Sequence, residues 1–312
     1  MDRFGFIFPG QGSQKLGMLR DLADEYDLIE ETYAEASAIL DQDLWEIAQL
    51  DTQNTLDQTQ LTQPVLLSAS VAIWRLWQQQ SIPLPAIMAG HSLGEYSALV
   101  CAGVIPFTDA IKLVHQRGQY MQSAVPAGCG KMAVIVGLEI YKIREVCQDV
   151  EKGQVVSPAN INSREQTVIA GDVDAVERAM IACKAAGAKR ALPLAVSVPS
   201  HCALMQPAAA RLERDLNVLK FNRATIPVVQ NVNAEIATDP EEIKQNLIRQ
   251  LYEPVLWVDT IELMHKAKVV KIVECGPGKV LCGLVRRIQS GMTAFSTEDC
   301  ASFAVATEEM SV

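Results

Sequence analysis

The sequence predicts an α/β fold: a core built on a parallel sheet, with a βαββαβ unit inserted in the chain. Three observations point there. Short apolar runs alternate with amphipathic helical patterns along most of the 312 residues. One such run, Ala86–Gly90, passes through Gly90-His91-Ser92-Leu93-Gly94 straight into a helical pattern. Between residues 127 and 197 the order changes to strand, helix, strand, strand, helix, strand, which is that of a ferredoxin-like unit. The expected division is therefore a core of residues 1–126 and 198–312 around an insert of residues 127–197.

Phe4–Phe8 reads as a buried first strand running into the glycine-rich turn Pro9-Gly10-Gln11-Gly12-Ser13-Gln14. The third glycine of a dinucleotide fingerprint is missing, so the turn is either a plain connection or a loop that brings a backbone N–H to a reacting atom. Helical patterns fill Leu19–Leu50, and polar Asp51–Gln60 reads as a loop. Pro64 is expected to open a long helix, Val65–Gln80, because proline suits a first helical turn. Ser81–Pro85 breaks that helix and leads to the strand before Ser92, and a helix follows over Phe107–Gln122.

In the insert, strands are expected at Met132–Leu138, Val155–Ile161, Gln166–Ala170 and Arg190–Val196. Helices fill Tyr141–Val150 and the stretch to Ala186, the latter capped by Asp172. Beyond Val198 the pattern gives helices at Leu204–Leu219, Glu241–Leu251, Val258–Lys266 and Val280–Ile288. Strands fall at Val228-Val229 and Lys271–Cys275, and the tail from Ser290 is weakly patterned with no role assigned.

Composition narrows the function. A net charge of −10 argues against nucleic-acid binding, which needs a basic face. An acidic partner remains compatible with local basic groups such as Lys184, Lys189 and Arg190, or Lys279, Arg286 and Arg287. The apolar core of Met1–Pro9 is too short for a signal peptide, and no apolar run reaches the length of a membrane span. Eight cysteines without C-x-x-C pairs then read as reduced thiols of a cytoplasmic protein. Four histidines, none in an H-E-x-x-H arrangement, give no zinc site, and no metal is expected. No apolar surface stripe stands out, so a monomer is expected.

The G-x-S-x-G layout holds a serine exposed on a sharp strand-to-helix turn, beside the unpaired N–H groups of the new helix. Ser92 is thus a nucleophile candidate, and it needs a base. His91 adjoins it, but neighbours at a sharp turn point apart. His115 and His265 sit on helices among ordinary neighbours, whereas His201 lies in Pro199-Ser200-His201-Cys202, where the chain leaves the insert. A site at the join of two units favours His201, with a structural histidine as the alternative.

Gly10-Gln11-Gly12-Ser13-Gln14, Thr62-Gln63-Pro64, Gly90–Tyr96, Gln116-Arg117-Gly118, Ser200-His201 and Gln250-Leu251-x-x-Pro254-Val255-x-Trp257 occur in one order. From Phe4 to about Gln289 the chain resembles the malonyl-CoA:acyl-carrier-protein transacylases, an acyltransferase family with a ferredoxin-like insert in a hydrolase-like core. The resemblance implies that Ser92 is acylated and that His201 serves as its base and acid. It places the oxyanion on the backbone N–H groups of Gln11 and Leu93, and orients His201 by the Gln250 carbonyl. Arg117, by residues alone one arginine on a helix, would bind the substrate carboxylate. Gln63, His91, Met121 and Ser200 would line the pocket, and Val198-Pro199-Ser200 resembles the bacterial malonyl-selective form.

The resemblance further implies malonyl-CoA and CoA as substrate and product, no permanently bound cofactor, and acyl carrier protein as partner in fatty acid synthesis. The rivals are a serine hydrolase or thioesterase on the same elbow, and a non-catalytic carrier-binding module that kept the fold.

Overall fold

A computed structural model describes residues 3–80, 82–196 and 198–311. The expected break at Ser81, and the first two residues of the amino-terminal segment, lie outside the described residues. The chain opens with β1 (Arg3–Phe8), α1 (Arg20–Glu25), α2 (Leu28–Leu40), α3 (Leu44–Gln49) and α4 (Thr59–Gln79). Then come β2 (Ile87–Gly90), α5 (Leu93–Cys101) and α6 (Phe107–Ala124). The insert contributes β3 (Gly130–Val136), α7 (Ile140–Val150), β4 (Val156–Ser163), β5 (Gln166–Asp172), α8 (Val173–Ala185) and β6 (Arg190–Pro193). The chain closes with α9 (Gln206–Val218), β7 (Val228–Val229), α10 (Pro240–Gln250) and α11 (Trp257–Lys266). After these stand β8 (Val269–Glu274), α12 (Val280–Ile288), β9 (Thr293–Ser296) and α13 (Cys300–Met310).

The larger sheet is parallel, in the order β7-β2-β1-β8-β9. Both faces of β1 are buried, as a covered parallel sheet requires. Phe4, Phe6 and Phe8 face α4, where Trp74 and Trp77 meet the Phe6 ring edge-on at 5.6 and 4.8 Å. Ile7 points the other way, into a cluster with Trp257, Ile261 and Val285. The smaller sheet is antiparallel, β4-β5-β3-β6, with Ile143 of α7 and Val176 of α8 in one cluster with Ile135 and Ile169 of the sheet. It has the neighbour order of the expected βαββαβ unit.

Four expectations need correcting. Helix α4 starts at Thr59, five residues before Pro64, and carries the proline inside it. The ring removes the N–H that would bond the Gln60 carbonyl, and His115 Nδ1 on α6 takes that oxygen instead at 2.8 Å. Strand β6 stops at Pro193, short of Val196. Asp172 stands at the N-cap of α8 but makes no side-chain cap; its carboxylate accepts from the Val155 N–H at 2.7 Å and ties β4 to β5. The unpatterned tail forms β9 and α13, the helix held by a capping box between Asp299 and Ser302 and anchored by Phe303 on Trp77.

Glycines set the spacing at the sheet's carboxyl edge. A Cβ on Gly90 would lie 1.9 Å from the Gly94 carbonyl carbon, and one on Gly94 would lie 2.0 Å from the Phe8 oxygen. The ends of β1 and β2 and the start of α5 therefore interlock by backbone contact. Replacing Gly94 by Ala drives the new side chain into the Phe8 and Pro9 backbone at the end of β1. It is expected to lower the unfolding free energy by about 3 kcal/mol, read from denaturant titration; an unchanged midpoint would contradict the interlock.

Candidate active site

Strand order reverses at β1, and ligands of such sheets bind outside the carboxyl ends at the reversal. There the loop after β1 (Gly10-Gln11), the turn after β2 (His91-Ser92) and the segment after β7 (Gln230-Asn231) converge. The insert and the loop before α9 close the other side.

Ser92 has φ 54° and ψ −108°, a strained conformation for a residue with a side chain. Two side chains hold it there. Asn231 accepts from the Ser92 N–H at 2.8 Å and donates to the Gly90 carbonyl at 2.6 Å. Gln250 Nε2 donates to the Ser92 carbonyl at 3.0 Å. The Ser92 Oγ is left facing His201 Nε2 at 2.8 Å.

His201 also has positive φ, 61°, and its N–H donates to the Leu251 carbonyl at 2.9 Å. Its Nδ1 lies 2.6 Å from the Gln250 carbonyl. A carbonyl only accepts, so Nδ1 carries the proton and Nε2 is left as the acceptor for the serine hydroxyl. Burial, with Arg117 second, lowers the His201 pKa to about 3, against the pull of the Gln250 bond. At neutral pH the ring is therefore an uncharged base.

Arg117 reaches the same point from α6. Gly118 beside it lets α6 touch α4, since a Cβ there would sit 2.4 Å from Gln60 Cα. Arg117 is only 1% exposed. Nη1 donates to Gln63 Oε1 at 2.8 Å, while Nη2 donates to Gln250 Oε1 at 2.9 Å and to Ser92 Oγ at 3.3 Å. These partners are neutral, and among the described residues no carboxylate forms an ion pair with Arg117. A buried cation without a bonded anion is costly, and its open side faces the cleft. The tip is suited to receive a carboxylate.

The cleft encloses about 120 Å³. Gln11, Ser92, Leu93, Arg117 and His201 form its polar floor, and Met121, Met132, Leu194 and Val198 its apolar wall. His91 and Ser200 also line it, as expected. His91 turns to Asn162 Oδ1 at 2.8 Å and packs edge-on against Trp257, away from the serine-histidine pair. Gln63 stands behind the guanidinium rather than on the open wall, and holds its orientation. Asn231 occupies the Ser92 amide, so at this turn the Leu93 N–H is among the first-turn donors that lack an intrahelical partner, and Gln11 also lines the cleft.

Sequence reasoning missed Asn231 and Glu95. Glu95 is fully buried beneath the turn, and its Oε2 accepts from Gln250 Nε2 at 2.7 Å and from the Asn231 N–H at 3.1 Å. Burial pushes its carboxyl up to about 7, against the opposing pull of Gln250, Asn231 and Arg117. The Gly94-Glu95 pair was visible in the chain; nothing marked Asn231, whose partners lie 139 and 141 positions away.

Among the described residues no group of three or more His, Cys, Asp and Glu side chains could hold a metal. No helix of those residues is long and apolar enough to cross a membrane.

The low His201 pKa has a signed consequence for stability. Below about 6.5 the unfolded chain protonates this histidine while the folded one refuses the proton down to about 3. Stability thus falls as pH drops through that window. A His201→Gln variant lacks this proton linkage, so its melting temperature is expected to decline less between pH 6.5 and 4 than that of the parent. Parallel declines would refute the buried neutral imidazole.

The family model described as "Acyl transferase domain" matches residues 5–299. The chain is 55% identical over 308 residues to a protein of Escherichia coli strain K12 named malonyl CoA-acyl carrier protein transacylase, covering 99% of this chain and 100% of that one. A Staphylococcus aureus protein of the same name is 41% identical, covering 92% and 93%. An acyl carrier protein S-malonyltransferase structure from Vibrio cholerae superposes with a TM-score of 0.96 at 56% identity, over 97% of this chain and 99% of that one. A malonyl-transacylase solved with its type II polyketide acyl-carrier protein gives 0.97 at 54%, over 98% and 99%.

Proposed function

Because this chain belongs to the malonyl-CoA:acyl-carrier-protein transacylase family and is an acyltransferase, we propose that it moves malonyl from CoA to a carrier-protein thiol through a serine ester. Its two-unit division at residues 127 and 197, its cytoplasmic setting, its monomeric state and its place in fatty acid synthesis belong to the same reading. The observation that carries it is the placement of Arg117. Its Nη2 is 3.3 Å from the nucleophile oxygen itself, so a carboxylate can meet it only from an acyl group that carries the charge close to its carbonyl, as malonyl does.

In the first half-reaction Ser92 Oγ attacks the thioester carbonyl and passes its proton to His201 Nε2. The Gln250 carbonyl, on the far side of the ring, steadies the imidazolium that forms. The carbonyl oxygen becomes an oxyanion facing the Leu93 and Gln11 N–H groups, each worth about 3–4 kcal/mol. Collapse breaks the carbon–sulfur bond, and the CoA thiolate takes the proton from Nε2. The second half runs the same steps backward with the carrier's thiol: His201 takes its proton, sulfur attacks the ester, and Ser92 Oγ recovers the proton as it leaves. General-base help of this kind contributes roughly 10²–10⁴-fold.

Arg117 keeps Gln63 and Gln250 as partners and exchanges its contact with Ser92 Oγ for a substrate carboxylate, gripped by two N–H donors. The clamp orders the ester, and the narrow cleft favours a pantetheine thiol over water.

Incubation with malonyl-CoA followed by peptide mapping is expected to find a malonyl adduct on the peptide bearing Ser92, and none on Ser92→Ala. Release of free malonate faster than transfer to a carrier thiol would overturn the reading in favour of a hydrolase. Arg117→Ala is expected to slow malonyl loading by about a hundredfold, from roughly 3 kcal/mol of charged hydrogen bonding, while acetyl loading changes far less. Equal losses for both acyl groups, measured as initial rates, would remove Arg117 from carboxylate recognition.

A further inference from the structure

Gln250 touches every working part of the cleft. Its main-chain oxygen holds His201, its Oε1 accepts from Arg117, and its Nε2 donates to the Ser92 carbonyl. A primary amide can sit in two orientations, and only one fits here. Flipped, it would set N–H against the guanidinium and oxygen against the Ser92 carbonyl. Arg117 and the Ser92 carbonyl already oppose the flipped form, and a second acceptor on the Nε2 side, Glu95 Oε2 at 2.7 Å, reinforces the working one with the shortest of the three bonds.

We propose that Glu95 is a positioning residue: its buried Oε2, on which Gln250 Nε2 and the Asn231 N–H converge, locks the Gln250 amide so that Arg117 is aimed at the acyl carboxylate beside Ser92. The assignment rests on the acyl-transfer reading above and deepens it, since it names a residue behind malonyl selectivity that touches neither substrate nor nucleophile side chain. Burial makes the role strict. Glu95, Gln250 and Asn231 have no exposed surface, so no water takes over a lost bond.

The role is that of an acceptor rather than of a charge. Glu95 Oε1 has no hydrogen-bond partner, so a proton placed on Oε1 leaves Oε2 free to accept. Glu95 also anchors Asn231, which holds the Ser92 and Gly90 backbone. The same oxygen thereby fixes the nucleophile turn and the clamp.

The test compares malonyl and acetyl loading of Ser92, from the two CoA esters, in Glu95→Met and Glu95→Gln, with melting temperatures alongside. Methionine removes the acceptor; glutamine keeps one oxygen for the two converging donors. Glu95→Met is expected to reduce malonyl loading tenfold to a hundredfold, mainly through KM, with acetyl loading reduced several-fold less. Glu95→Gln is expected to restore malonyl loading to within about threefold of the parent. In an Arg117→Ala background, Glu95→Met should leave the malonyl-to-acetyl ratio unchanged, because its route of action is gone.

Equal losses of malonyl and acetyl loading would overturn the proposal, as would a failure of glutamine to rescue. Should Glu95→Met not fold, Gln250→Met serves instead: it deletes the amide but keeps the main-chain carbonyl on His201, and an unaltered malonyl-to-acetyl ratio there is equally fatal. Absence of a malonyl adduct on the parent protein would instead sink the acyl-transfer reading itself, so the two failures are distinct.

Discussion

The hydrogen bond from Ser92 Oγ to His201 Nε2 spans 109 positions of sequence and joins the turn after β2 to the loop before α9. Each end sits on a backbone of positive φ that a side-chain-bearing residue adopts at a cost of about 1–3 kcal/mol. Such conformations persist only where the surroundings overdetermine them. At Ser92 this is done by Asn231 on the amide and Gln250 on the carbonyl; at His201, by the Leu251 carbonyl on the amide and the Gln250 carbonyl on the ring. The carboxyl end of α10 thus helps to hold the strain at both ends, with Asn231 after β7 sharing the work at Ser92.

Electrostatics follows from the same crowding. Bringing His201, Arg117 and Glu95 together without water raises the cost of charge on each. The histidine answers by staying neutral, and the carboxyl by titrating near neutrality. Arginine alone cannot shed its proton. It is given amide oxygens from Gln63 and Gln250, which solvate the guanidinium without cancelling its charge. A carboxylate side chain in either place would have formed an ion pair and left little attraction for an anionic acyl group. Glutamine at both positions is the chemistry that keeps a cation buried and still available.

Where function rests on local spacing, the chain was legible. Gly90-x-Ser92-x-Gly94 announces its turn because the two glycines meet each other and the end of β1, four residues apart in sequence and in van der Waals collision in space if enlarged. The β-α-β-β-α-β order likewise reads directly, because each of its elements carries its own period. Residues recruited from afar left no such trace. Asn231 follows a two-residue strand and resembles any loop asparagine, and Glu95 reads as an ordinary first-turn acid. Helix α13 escaped notice because its buried positions, Phe303, Ala306 and Met310, keep helical spacing but include one small residue, while the exposed Val305 blurs the stripe. Pro64 misled for a sharper reason: proline signals a helix start only when no outside group can take the carbonyl it frees.

That freed carbonyl ties two distant positions into a lock and its key. Proline at 64 strands the Gln60 oxygen in a seam where α6 presses Gly118 against α4, and the ring of His115, itself held by Gln119, fills the vacancy. The histidine depends on the proline's company more than the reverse. A chain that lost the imidazole would leave that half-buried oxygen to the groove beside it, whereas one that lost the proline could add a helical N–H as a second donor to the same carbonyl. Descendants of this sequence should accordingly keep a donor at 115 for as long as they keep proline at 64, even though neither residue meets the Ser92–His201 pair.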